Sequence, residues 1–237
     1  MIGCLCLHGF TGTPDELKDI TSYLEKNHWL VYCPTLPGHG SKEGLKGVTY
    51  KHWIYAAEVA VEELLKRCEK VYVIGFSMGG MIASYIAANY PVERLVLISA
   101  SAYYFNPKHI VQEITGWSLE GLRGEKLIDD KIYQFYRKKV KETPLHATKE
   151  FTLMVRKLRG HLKNITVPTL IIQGEHDGLV PPRKSAEFIY HQIQSEEKRL
   201  YFFPNAKHYI WFGEQKEALL ERINEFLCVD NKEQCGD

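Results

Sequence analysis

One stretch constrains this chain more than any other: Val71-Tyr72-Val73-Ile74-Gly75-Phe76-Ser77-Met78-Gly79-Gly80. Val71 to Ile74 have the β-branched and aromatic make-up of a strand covered on both faces. Met81-Ile82-Ala83-Ser84-Tyr85-Ile86-Ala87-Ala88 continues as a helix of mostly small residues. Between the two, the chain must reverse in a turn too tight for large side chains. Gly75 and Gly79 bracket that turn, where a Cβ would clash as strand and helix close on each other. The reversal throws the Ser77 hydroxyl clear of the sheet on a strained backbone. A glycine-bearing loop can match Gly-x-Ser-x-Gly by chance, so the weight of this elbow comes from its strand-turn-helix context and from the partners found downstream.

The rest of the chain alternates strand with helix. Ile2 to Leu7 predicts a short strand ended by His8-Gly9-Phe10-Thr11-Gly12, whose glycines let the backbone turn and expose its amides. Thr13-Pro14-Asp15-Glu16 predicts a helix start, with a capping threonine, a proline in the first turn and a glutamate three residues on. A second strand, Trp29 to Cys33, leads into the sharp loop Leu36-Pro37-Gly38-His39-Gly40-Ser41. Tyr50 to Arg67 reads as a helix whose apolar positions, including Trp53, Ile54, Ala57 and Val61, recur at helical spacing and belong to the core. Further strands are expected at Arg94 to Ser99, Val167 to Gly174 and Arg199 to Phe203, with helices from about Ala147 to Leu162, from Pro181-Pro182 to about Ile193, and roughly from Gly213 to Leu227. Such alternation predicts an α/β fold, a mostly parallel sheet of about six strands with helices on both faces, as a single domain over residues 1–237.

Ala102 to about Leu145 breaks this pattern. It is rich in tyrosine, lysine and glutamate and carries Tyr103, Tyr104, Phe105, Trp117 and Leu119 among many charges. Short amphipathic helices lying over something apolar are expected, a cap inserted at about 102–146, with a plain peripheral insertion as the alternative.

Thirty Lys plus Arg against 29 Asp plus Glu leave a formal charge of +1, so no global field favours nucleic acid or an anionic membrane, and a small neutral substrate fits better. No apolar run approaches the roughly 20 residues of a spanning helix, so stable membrane insertion is not expected. The cysteines, Cys4, Cys6, Cys33, Cys68, Cys228 and Cys235, lack metal-site spacing and are expected to be buried free thiols. Met1 to Leu7 is too short for a signal peptide's apolar segment and lacks a basic leader, so the expected setting is reducing and cytoplasmic.

A serine hydroxyl is a poor nucleophile near neutral pH. It needs a neutral imidazole to take its proton and a carboxylate to orient that imidazole. Asp177 and His208 each lie just past the carboxyl end of an expected strand, the edge at which a parallel sheet gathers its site. Singly, Asp177 before Gly178 reads as a turn residue, and a histidine after a strand reads as a surface side chain. Ser77, Asp177 and His208 nevertheless follow the chain order expected after such an elbow. Glu175, two residues earlier, is the weaker acid candidate. Two backbone amides are placed to stabilise an oxyanion: that of Met78, at the positive start of the elbow helix, and that of Phe10, after His8-Gly9.

With His8-Gly9-Phe10, Pro37-Gly38-His39-Gly40, Gly75-Phe76-Ser77-Met78-Gly79-Gly80, Gly174-Glu175-His176-Asp177 and His208, the chain resembles the α/β-hydrolases over nearly its whole length. The short His-Gly-Phe-Thr-Gly loop, the small cap and Thr143-Pro144-Leu145 look like bacterial carboxylesterases and monoacylglycerol lipases. The resemblance implies Ser77 as nucleophile, Asp177 as orienting acid, His208 as general base, Phe10 and Met78 as oxyanion donors, and a cap shaping an acyl pocket. It implies no cofactor. Two features depart from the family: Lys207 stands before the histidine where small residues are usual, and the chain opens on the strand before His8, which shortens the expected sheet.

The leading expectation is therefore a serine esterase acting on small esters of short to medium acyl chain, plausibly monoacylglycerols, with Tyr103, Tyr104, Phe105 and Trp117 helping to cover the acyl chain because aromatics bury large area. The same three residues serve thioesterases and carbon-carbon bond hydrolases, and a low-turnover ligand-binding homologue is a further alternative.

Overall fold

The computed structural model describes residues 1–40, 44–103 and 143–229. Its strands are β1 (Ile2–Leu7), β2 (Leu30–Tyr32), β3 (Lys70–Phe76), β4 (Arg94–Ile98), β5 (Thr169–Gly174) and β6 (Lys198–Phe203). They form one six-stranded sheet in the order β2-β1-β3-β4-β5-β6. Every pairing is parallel. The helices are α1 (Lys18–Lys26), α2 (Tyr50–Arg67), α3 (Met78–Asn89), α4 (Leu145–Leu158), α5 (Pro182–Gln192) and α6 (Lys216–Leu227). The expected α/β architecture is present.

The four inner strands, β1, β3, β4 and β5, are buried on both faces because successive residues feed two cores. On one face Leu5, Leu7, Val71, Val73, Leu95, Leu97 and Ile171 pack with residues of α2, α3, α4 and α5. On the other, Cys4, Cys6, Tyr72, Ile74, Val96, Ile98 and Ile172 meet Ile20 and Leu24 of α1 and Leu219, Ile223 and Phe226 of α6. Each fully buried Leu, Ile or Val contributes about 1.5–3 kcal/mol. α3 is enclosed on nearly every side, which explains its small residues.

Local chemistry moved two expected helix boundaries. The first helix opens with a 3-10 turn, Pro14–Leu17, and Thr13 makes no side-chain cap bond; its hydroxyl donates instead to Asp15 Oδ2. α4 stops at Leu158 and tightens into a 3-10 segment, Arg159–Asn164, that contains Gly160, a residue that weakens a helix interior. Of the expected cap, residues 104–142 lie outside the described residues, and Tyr104, Phe105 and Trp117 with them.

Two features of the sheet position the site. The chain adds β2 on one side of β1 and then returns to place β3 on the other, so the strand order reverses between β1 and β3. Ligands of open parallel sheets bind at the carboxyl ends beside such a reversal. The register also levels those ends: Leu7 pairs with Gly75, Phe76 with Ile98, Ile98 with Ile172 and Gly174 with Phe203. The loops after β1, β3, β4, β5 and β6 therefore leave the sheet along one rim.

Candidate active site

Ser77 follows β3 directly, at φ 53° and ψ −114°, a conformation that costs of order 1–3 kcal/mol for a residue with a Cβ. Packing on both flanks holds it there. A Cβ at Gly75 would lie 2.6 Å from that of Ala83, and one at Gly79 would overlap the carbonyl of Leu7. The Ser77 N–H donates to Ile98 O at 2.9 Å, and its carbonyl accepts from Gly80 N–H at 3.1 Å and Ser101 N–H at 3.2 Å. The elbow is thus tied both to its own helix and to the exit of β4.

Asp177 and His208 come together in the loops after β5 and β6. Both are buried, and His208 Nδ1 lies 2.7 Å from Asp177 Oδ2. Gly174 permits this approach: a Cβ there would overlap the carbonyls of Ala206 and Lys207. The two loops are stitched by Glu175 N–H to Phe203 O at 3.0 Å and His176 N–H to Ala206 O at 2.9 Å. Ser99, itself at φ 47°, donates its hydroxyl to the His208 carbonyl at 3.0 Å. The His208 ring lies 4.9 Å from that of Phe76, the residue before Ser77. Lys207 is exposed, and its carbonyl packs against Gly174.

The acid candidates separate clearly. Asp177 accepts from Leu179 N–H at 2.8 Å and Val180 N–H at 2.9 Å on Oδ1, and from Gln173 Nε2 at 2.8 Å on Oδ2, the oxygen that faces His208. Donors on both oxygens fix the orientation of the carboxyl group toward His208. Glu175 points outward to Arg183, 3.3 Å away. Gln173 was not anticipated; a polar residue in the otherwise apolar run Leu170-Ile171-Ile172 was its only trace. Gln173→Leu is expected to destabilise the fold by about 1–3 kcal/mol, since it removes a donor from a buried carboxylate, and a urea midpoint equal to wild type would refute that role.

Beside Ser77, the loop after β1 is built tightly. His8 Nε2 accepts from Leu36 N–H at 3.0 Å, so the hydrogen of a neutral ring sits on Nδ1 and faces Gly9 O at 2.9 Å. Gly12 N–H donates to the same carbonyl at 3.1 Å. A trans peptide holds C=O and N–H on opposite sides, so fixing the Gly9 carbonyl also fixes the direction of the Phe10 N–H. Among the described residues, neither the Phe10 N–H nor the buried Met78 N–H has a hydrogen-bond partner. An unpaired amide on a fully buried residue such as Met78 is rare enough to call for a reason. The Phe10 ring stacks on Phe151 of α4 at 5.0 Å and meets Trp53 edge-on.

Tyr103 is directed elsewhere. Its ring contacts Phe188 of α5 and lies 4.2 Å from the Arg159 guanidinium and 4.4 Å from the Lys184 ammonium. Cys4, Cys6, Cys33 and Cys68 are free thiols, whereas Cys228 is disulfide-bonded, a departure from the expectation of free thiols throughout. The contact with Cys4, together with burial, pushes the Cys6 thiol well up, and burial does the same for Cys33, so neither is a competing nucleophile near neutral pH. Among the described residues no cluster could hold a metal ion, and no helix is long and apolar enough to cross a membrane.

A doubly wound parallel sheet that carries a glycine-bracketed serine after β3 and a buried acid-imidazole pair after β5 and β6 defines an α/β-hydrolase. The profile of the family described as "Serine aminopeptidase, S33" matches residues 3–216, and the chain belongs to that family. It is 28% identical over 233 residues to the thermostable monoacylglycerol lipase of Bacillus sp. (strain H-257), covering 95% of this chain and 90% of that protein. It is 23% identical over 228 residues to a carboxylesterase of Bacillus subtilis (strain 168), covering 94% and 91%. A solved structure from a study of the metagenome-derived lipolytic enzymes LipS and LipT superposes with a TM-score of 0.76 at 24% identity, covering 95% and 93% of the two chains.

Proposed function

We propose that this α/β-hydrolase is a cofactor-free serine esterase for small carboxylic esters of short to medium acyl chain, monoacylglycerols among them. The observation that carries the reading is the buried Asp177–His208 pair, whose imidazole packs against the ring of Phe76, the residue before the strained Ser77. In this reading His208 takes the Ser77 proton as Oγ attacks the ester carbonyl. Its Nδ1–H donates to Asp177, which stabilises the imidazolium. The carbonyl oxygen, now negative, accepts from Phe10 and Met78 N–H, the two amides left open beside the serine. Collapse breaks the ester C–O bond and His208 returns the proton to the departing alcohol. Water then attacks the acyl-serine as His208 takes its proton, and when the adduct collapses His208 returns that proton to Ser77 Oγ, releasing the carboxylic acid and free Ser77.

The names of the two Bacillus relatives support the ester and monoacylglycerol assignment. The segment at about 102–146 is proposed as a cap, with Tyr104, Phe105 and Trp117 contributing to the acyl pocket. A cytoplasmic setting is proposed from the free thiols of Cys4, Cys6, Cys33 and Cys68, with the Cys228 disulfide the observation that weighs toward an oxidising one.

A fluorophosphonate probe is expected to add to wild type at one serine, mapped to Ser77 by peptide mass spectrometry, and not to Ser77→Ala. Equal labelling of both proteins would defeat the reading. A panel of monoacylglycerols, nitrophenyl esters, acyl thioesters and carbon-carbon substrates then assigns the bond cleaved, with the esters expected to turn over fastest.

A further inference from the structure

Glu16 is a buried acid outside the serine, aspartate and histidine set, and it occupies the concave side of the His8–Gly12 loop. Its Oε2 accepts from Gly9 N–H at 3.2 Å. Its Oε1 accepts from the Tyr209 hydroxyl at 2.8 Å, and Tyr209 directly follows His208. Gly12 is glycine for this reason: a Cβ there would overlap the Glu16 carboxylate. At Gly9 a Cβ would lie 3.0 Å from the Phe76 ring and 3.3 Å from Glu16 Oε2. That same ring lies 4.9 Å from both His208 and Tyr209. The carboxylate therefore joins the loop bearing the Phe10 amide to the segment bearing the imidazole, across the residue that precedes Ser77.

We propose that Glu16 is a positioning residue: by holding Gly9 N–H and the Tyr209 hydroxyl together, it keeps the Phe10 N–H aimed at the developing oxyanion and in register with His208. This inference rests on the esterase reading above and adds a group that reading does not use. The argument is geometric. The Gly9 N–H faces Glu16, the Gly9 carbonyl is held by Gly12 N–H and His8 Nδ1, and the next N–H along the chain is that of Phe10. Without the carboxylate the loop loses the tie on the preceding peptide, His8–Gly9, and with it one restraint on the rotation at Gly9 that would swing the Phe10 N–H away. Tetrahedral oxyanions are sensitive to such aim, whereas ground-state substrate binding is much less so.

The test uses the full chain as wild type, Glu16→Ala, Glu16→Gln, Tyr209→Phe and Glu16→Ala/Tyr209→Phe. Hydrolysis of p-nitrophenyl butyrate is measured alongside inhibition by an alkyl trifluoromethyl ketone, which forms an oxyanion adduct with the serine, and by the matching methyl ketone. Glu16→Ala is expected to lower kcat about 10- to 100-fold and to weaken the trifluoromethyl ketone by a similar factor, with KM and methyl ketone affinity within about threefold. Glu16→Gln, whose amide oxygen can accept from Gly9 N–H while its NH₂ donates to the tyrosine oxygen, should restore most of that loss. Tyr209→Phe, which keeps the ring and removes only the hydroxyl, should cost about 3- to 10-fold in kcat; it takes a donor from a buried carboxylate, so the melting temperature should fall by a few degrees while the chain still folds. The double variant should be no slower than Glu16→Ala, since the two groups act through one contact.

Unchanged trifluoromethyl ketone affinity in Glu16→Ala, or a loss shared equally by the methyl ketone, would overturn the proposal. If Glu16→Ala does not fold, Tyr209→Phe carries the decision, and wild-type kcat there would overturn it. Failure of the esterase reading itself would show separately, as wild type that neither turns over the ester nor binds the trifluoromethyl ketone.

Discussion

Ser77→Ala is expected to lower kcat for ester hydrolysis by about 10⁶-fold while leaving the melting temperature near that of wild type. The fold should tolerate the change because alanine keeps the Cβ, so the strained φ of 53° is neither relieved nor worsened. The backbone bonds that hold the elbow, to Ile98, Gly80 and Ser101, also remain. The chemistry should not survive, since the hydroxyl is the only atom removed that could form an acyl intermediate. What persists would come from binding and from the open Phe10 and Met78 amides, which in serine hydrolases retain about 10³- to 10⁴-fold over water. Steady-state rates with p-nitrophenyl butyrate, corrected for spontaneous hydrolysis, decide the matter. A loss smaller than about tenfold would mean that another group attacks the ester.

Asp177→Asn is expected to reduce kcat by about 10⁴-fold, with KM changed far less. The direction follows from the partners of each oxygen. Leu179 and Val180 N–H both point at Oδ1, so the asparagine carbonyl must remain on that side. The new NH₂ then occupies the place of Oδ2, facing Gln173 Nε2 and His208 Nδ1. To accept from that NH₂, the imidazole must move its hydrogen from Nδ1 to Nε2. An Nε2 that already bears hydrogen cannot take the serine proton. The shift of tautomer is observable by nitrogen NMR of the histidine ring. An unaltered tautomer together with near-wild-type turnover would show that the acid does not act through His208.

The elbow and the partners that follow β5 and β6 were readable because each is a local event. A strand ends, glycine or proline turns the chain, and the next residue stands on the rim of the sheet. Burial on both faces of the strands likewise leaves a direct trace as apolar runs, and the six strands appear where those runs lie. Glu16 shows the opposite case. Three residues after Thr13, it has the spacing of a capping partner, yet its carboxylate joins Gly9 and Tyr209, the latter 193 residues away. Local spacing is silent about a partner that a distant loop delivers. Tyr103 has the composition of a pocket residue, but Phe188, Arg159 and Lys184 are the groups it meets.

Periodicity and turn chemistry in the chain thus specified the α/β class, the rim on which chemistry gathers, and the candidate serine, acids and imidazole at the ends of its strands. Three-dimensional packing alone selected which acid faces the imidazole, which amides stay open, and which buried side chains hold the loops in place. The difference is physical: strands, elbows and caps are set by interactions among near neighbours, whereas a hydrogen bond between loops depends on the register and twist of the whole sheet that carries them.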